Sequence, residues 1–153
     1  MWCLASPLAA GLCVVILGGG PQGPQKAPAQ TPAAVGGSPA AGATHHARGL
    51  EYAKQGEEDK ALQELKRAIE LDPNRFEPYK ALDDLLSKKG DWDTIIAYWT
   101  RFLALQPNNA QAYRERGGAV SHKKNYPGAF QDYKKACSLG DQYSCQDPTG
   151  VTP

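Results

Sequence analysis

Three stretches of this chain, residues 42–73, 76–107 and 110–141, can be laid beneath one another at a constant spacing of 34 residues. Ala61, Ile95 and Ala129 then share a column, as do Leu62, Ile96 and Phe130, Leu65, Trp99 and Tyr133, Ala68, Phe102 and Ala136, and Leu71, Leu105 and Leu139. Every one of these columns is apolar. Within a stretch the first four lie at i, i+1, i+4 and i+7, which places them on one face of a helix. A sparser stripe runs ahead of each: Tyr52 in the first stretch, Tyr79, Leu82 and Leu86 in the second, Tyr113 and Val120 in the third. A self-match of this length means stacked supersecondary units, each of which buries its oily side only against a neighbour.

The punctuation agrees with paired helices. Gly56 and Gly90 fall between the two helices of their units, where a residue tolerant of positive φ can end one helix and reverse the chain. Pro73 and Pro107 stop the second helices, because proline cannot continue a helix and pushes its predecessor out of the α region. Asp141 takes the equivalent place after the third unit.

In order, Gly49, Tyr52, Ala61, Leu65, Ala68 and Pro73 resemble the tetratricopeptide repeat signature, and the match recurs in register over about two-thirds of the chain. The resemblance implies an all-α fold, a right-handed α-α solenoid of three tetratricopeptide helical hairpins, whose first helices line a concave groove that holds a partner segment. Asp83 departs from the pattern, standing where a glycine or alanine is wanted, and Ile95 and Phe102 replace two expected alanines. A distorted packing angle in the second unit is the expectation. Trp92, Tyr98, Trp99 and Phe102 are read as core and edge packing, with an exposed aromatic anchor as the alternative.

By the same resemblance the groove is lined by His46 and Leu50 from the first unit, Lys80, Asp84 and Ser87 from the second, and Gln111, Arg114 and Gly118 from the third. Lys80 and Arg114 are candidates to meet a carboxylate of the partner. Family members that grip the carboxy-terminal tails of heat-shock chaperones place Lys, Asn, Asn, Lys and Arg at five points. This chain has His46, Leu50, Ala81, Gln111 and Glu115 there, so a chaperone-tail clamp is not expected.

Cys137 and Cys145 resemble the cysteine pair of the SEL-like variety of the repeat, in which a disulfide joins the end of one helix to the start of the next in exported proteins. Such a bridge would seal the end of a three-unit stack, and it requires an oxidising compartment. The alternative is two reduced thiols. The leader cysteines, Cys3 and Cys13, are not expected to take part.

The amino-terminal part has a different character. Residues 1–43 hold one charged side chain, Lys26, although the whole chain has 17 Lys and Arg against 16 Asp and Glu. The apolar run from residue 2 to residue 17 marks residues 1–20 as a signal peptide or an amino-terminal membrane anchor, since a spanning helix normally needs about 20 apolar residues. Residues 21–43, rich in Pro, Ala and Gly, read as a disordered linker, residues 44–141 as the repeat domain and residues 142–153 as a carboxy-terminal tail. These readings place the domain outside the cytoplasmic membrane, periplasmic or anchored to that membrane's outer side.

The balanced charge offers no field for a phosphate backbone, so no nucleic-acid partner is expected. Neither a phosphate loop, a His-Glu-x-x-His sequence nor a nucleophile elbow occurs, and the adjacent Asp83 and Asp84 diverge by about 100° on a helix. His45 and His46 likewise point to different faces. No catalytic residue, metal or cofactor is therefore expected. The function that follows is a non-catalytic protein-interaction adaptor or scaffold. The alternative is a self-associating structural module or an assembly factor for an envelope complex, using the apolar end left where no capping helix follows residue 141.

Overall fold

A computed structural model describes residues 38–146. The leader at 1–20, most of the linker at 21–43 and the end of the tail lie outside the described residues. Seven helices follow in order: α1 (Pro39–Lys54), α2 (Glu58–Leu71), α3 (Phe76–Lys89), α4 (Trp92–Leu105), α5 (Ala110–His122), α6 (Tyr126–Ser138) and the short α7 (Gln142–Gln146). They form three helical hairpins, α1/α2, α3/α4 and α5/α6, with each second helix also packed on the first helix of the next pair. Among the described residues there is no strand, and no helix is long and apolar enough to cross a membrane.

Two boundaries differ from the expectation. Helix α1 starts at Pro39, inside the stretch read as linker, because proline fits the first turn of a helix, where its missing N–H is not needed. The stretch read as tail opens with α7, whose first turn is capped by Asp141: the carboxylate accepts from the Ser144 backbone N–H at 3.1 Å and from its hydroxyl at 2.5 Å.

The columns found by repeat alignment supply the core. Ala61, Leu65, Ala68, Ile95, Trp99, Phe102, Ala129 and Ala136 are all buried. The outer columns are edges: Leu105 and Phe130 remain 46% and 41% exposed. Ile69 and Leu103 form a further buried column that the alignment did not single out. The centre of the core is aromatic. Tyr79 meets Phe102 edge-on at 4.9 Å between ring centroids and stacks on Trp99 at 5.9 Å, while Phe76 lies 5.1 Å from Trp99. Core packing, not an exposed anchor, is therefore what Trp99 and Phe102 do, and Trp92 and Tyr98 pack partly buried against the same cluster.

Gly49, Asp83 and Gly117 occupy one repeat position, and each faces the residue 16 further on. A Cβ on Gly49 would lie 2.8 Å from Leu65 Cγ, and one on Gly117 would lie 3.0 Å from Tyr133 Cε1. In the second unit Asp83 is accommodated by a different contact: the Trp99 indole N–H donates to its carboxylate at 2.7 Å. The departure is absorbed by a hydrogen bond between the two helices of the hairpin.

The turns inside the hairpins share a left-handed residue, Gly56 at φ 78° and Gly90 at φ 71°. In the third unit that position is Lys124, at φ 61°. A side chain there costs about 1 kcal/mol relative to glycine. Lys124→Gly is therefore expected to raise the thermal unfolding midpoint by about 4 °C, read by circular dichroism.

Candidate functional site

The first helices α1, α3 and α5 present the face on which a partner segment would lie, and the structure sorts the residues expected there into three kinds. Leu50 and Asp84 line a cavity of about 320 Å3 between α1 and α3, together with Ala53, Lys54, Leu65, Ala81, Leu85 and Lys88. Leu50 is 40% exposed at this cavity. The cavity walls are mainly aliphatic, and its floor is the buried Leu65.

The second kind is already occupied within the chain. Lys80 Nζ donates to Asp84 Oδ1 at 2.5 Å and lies 3.8 Å from Glu115. Its pKa is raised: burial alone would lower it, but the Asp84 hydrogen bond and the charges of Glu115 and Asp84 prevail. Arg114 Nη1 donates to Asp141 Oδ1 at 2.6 Å, and its guanidinium sits 5.5 Å from the Tyr143 ring centroid. Arg114 thus ties α5 to the cap of α7, and the two cations expected to greet a partner's carboxylate are neutralised by acids of their own chain. The Ser87 hydroxyl donates to the Asp83 carbonyl at 2.8 Å, one turn back on its own helix.

The third kind lies apart from the cavity. His46 is half-buried, and burial, followed by the Arg75 charge, lowers its pKa, which keeps the ring neutral near pH 7. Gln111 is exposed on α5, and Gly118 is half-buried near the Tyr133 hydroxyl.

Sequence reasoning passed over Ala53, Lys54, Leu85 and Lys88. A usable signal was present, since Lys54 and Lys88 occupy the same repeat position, 34 residues apart. The third residue of that column, His122, stacks on Trp92 with ring centroids 3.9 Å apart.

At the far end, the sulfurs of Cys137 and Cys145 stand at bonding distance, 2.12 Å, linking α6 to α7 across eight positions of sequence. Closing so short a loop restrains the unfolded chain by about 2–3 kcal/mol in the chain-entropy account. Cys145→Ser should release α7 and the last turn of α6, seen as faster amide exchange confined to about residues 135–146. Two alkylatable thiols at these positions in protein isolated without reductant would contradict the pairing.

Comparison with known proteins agrees with this architecture. A family model described as TPR repeat matches residues 49–90, and one described as tetratricopeptide repeat matches residues 84–144. Human tetratricopeptide repeat protein 13 is 32% identical over 99 residues, which is 61% of this chain; the chain spans only 11% of that relative's length. Among solved structures, the amino-terminal domain of stress-induced protein-1 from C. elegans superposes with a TM-score of 0.65 at 18% identity, covering 73% of this chain and 94% of that one. The first TPR of Spaghetti (RPAP3), solved bound to the HSP90 peptide SRMEEVD, gives 0.64 at 17% identity, covering 74% and 91%. The Arabidopsis OM64 TPR domain gives 0.62 at 20% identity, covering 73% and 93%. With the two models together spanning residues 49–144, and with three hairpins nested through the columns that define the repeat, the chain belongs to the tetratricopeptide repeat family.

Proposed function

We propose that this chain is a non-catalytic protein-interaction module that holds a segment of a partner protein against its first helices. The observation that carries the reading is the open aliphatic cavity between α1 and α3. Its mainly aliphatic walls would bury their surface only when something enters. Capture of partners by the tagged full chain, compared with Leu50→Asp and with an outer-surface variant such as Ala104→Asp, tests it. Loss of the same bound protein in the first variant alone supports the groove; equal capture by all three counts against it.

The module acts outside the cytoplasmic membrane in this proposal, as an adaptor for an envelope or secretion protein. The apolar run at residues 2–17 and the pairing of Cys137 with Cys145 support that placement. The partner is not a chaperone tail, because His46, Leu50, Ala81, Gln111 and Glu115 replace the five clamp residues. A peptide ending in EEVD and its carboxy-terminally amidated twin should therefore bind alike and more weakly than about 100 μM by fluorescence anisotropy.

One observation favours self-association as a second reading. Tyr126 and Phe130, 52% and 41% exposed, lie one repeat period after Trp92 and Ile96, which in the second unit face α5. A concentration-dependent dimer in light scattering that Phe130→Asp dissolves would establish it, and a monomer at millimolar concentration would remove it.

A further inference from the structure

The cavity between α1 and α3 is not purely apolar at its mouth. Lys54 and Lys88, each in the last turn of its helix, stand on its two sides. Neighbouring cations are engaged: Lys80 with Asp84, Arg114 with Asp141, and Lys89 with Asp59 at 2.9 Å. Among the described residues Lys54 and Lys88 have no acidic partner, and both are exposed. The acid that lines the cavity, Asp84, is spent on Lys80. The mouth therefore carries two positive charges without a carboxylate partner around an aliphatic hollow whose volume suits one or two large side chains.

Building on the reading of the first-helix face as a partner groove, we propose that this socket takes a bulky aliphatic or aromatic side chain from the interior of an acidic segment, whose flanking carboxylates pair with Lys54 and Lys88. The apolar side chain supplies affinity by leaving water against Leu50, Leu65 and Leu85; the carboxylates supply register and the choice of partner. A basic segment is repelled at the same mouth. Such a ligand differs from a chaperone tail in being anchored by an internal side chain, not by its terminal carboxylate.

The test uses the full chain and a fluorescein-labelled synthetic peptide with one central leucine between runs of Glu and Asp, blocked at both ends. Three counterparts accompany it: leucine replaced by serine, the acids replaced by Gln and Asn, and the acids replaced by Lys. Binding of the first peptide is expected to weaken about tenfold or more in each counterpart, and to fall as salt rises. Lys54→Glu with Lys88→Glu should cost a similar factor for the acidic peptide and restore binding of the lysine peptide. Lys66→Glu, on α2, should change little. These lysines are exposed, so an unchanged helical circular dichroism spectrum confirms that the double variant is folded.

Equal affinity for the acidic and amide peptides, or indifference to the double charge reversal, overturns the proposal. So does a dimer of this chain that Leu50→Asp dissolves, which would assign the socket to a second copy. Selection of random peptides against the parent and against Leu50→Asp separates this failure from failure of the groove itself. Leucine-50-dependent binders without acidic residues sink the acidic partner and keep the groove; the absence of any Leu50-dependent binder sinks both.

Discussion

Replacing Trp99 with alanine should destabilise the chain by about 3–5 kcal/mol, in chemical denaturation followed by circular dichroism. Trp99 is buried at the meeting point of Phe76, Tyr79 and Phe102, so truncation opens a cavity where four rings converge. It also removes the indole N–H that donates to Asp83. Trp99→Phe separates the two effects: it keeps most of the volume and leaves the carboxylate without its donor, at a cost of about 1–3 kcal/mol.

The Asp83 contribution has a definite pH dependence. Burial raises its pKa, outweighing the Trp99 hydrogen bond and the Lys80 charge, which lower it. The folded chain therefore holds this proton more tightly than the unfolded chain. Stability from this group is fully present below the ordinary value of 3.8 and is lost as pH rises through the raised folded value. Asp83→Asn keeps an oxygen for the indole and removes that loss, so its stability relative to the parent should increase from about pH 4 upward. Trp99→Phe, by withdrawing a hydrogen bond from the charged form, should be more damaging at neutral than at acid pH.

The second large effect is expected at Gly49. A Cβ there would fall 2.8 and 2.9 Å from two carbons of the fully buried Leu65, closer than an ordinary contact, so Leu65 has to leave its packed position. Gly49→Val should cost about 3 kcal/mol through overpacking and a β-branched side chain in a helix. Gly118 is the control. A Cβ there meets only the Tyr133 hydroxyl at 3.7 Å, so Gly118→Ala should gain about 0.5–1 kcal/mol from helix propensity. Thermal melts of the two variants should move in opposite directions.

What could be read from residue order was whatever recurs every 34 positions. The columns through Ala61, Leu65 and Ala68 located the second helices because burial there is imposed by the neighbouring unit in the same way each time. Departures from the repeat were visible as letters, yet their resolution was not. That Asp83 would accept from Trp99 depends on two side chains meeting across a hairpin, a distance that helical periodicity does not encode. Arg114 was placed on the groove by its register, and its capture by Asp141 required α7, a single turn too short to leave a periodic signal. The socket was half legible: Leu50 and Asp84 were singled out, whereas Lys54 and Lys88 were hidden because lysines in a last helical turn are ordinarily explained by the helix dipole.

The same geometry links stability to binding. Close approach at Gly49 and Gly117 draws each first helix onto its second, while the aromatic cluster holds the middle hairpin between the other two. The first-helix side keeps an open aliphatic hollow between α1 and α3.

Site-specific photo-cross-linking tests that assignment most directly. A photoreactive phenylalanine derivative placed at Leu50 or Ala81, on the cavity, and at Ala104, on the exposed side of α4, would be irradiated in cells expressing the full chain. One and the same partner protein is expected to be joined at Leu50 and Ala81 and to be absent at Ala104. Adducts at Ala104 alone, or no adduct at either cavity position, would contradict it.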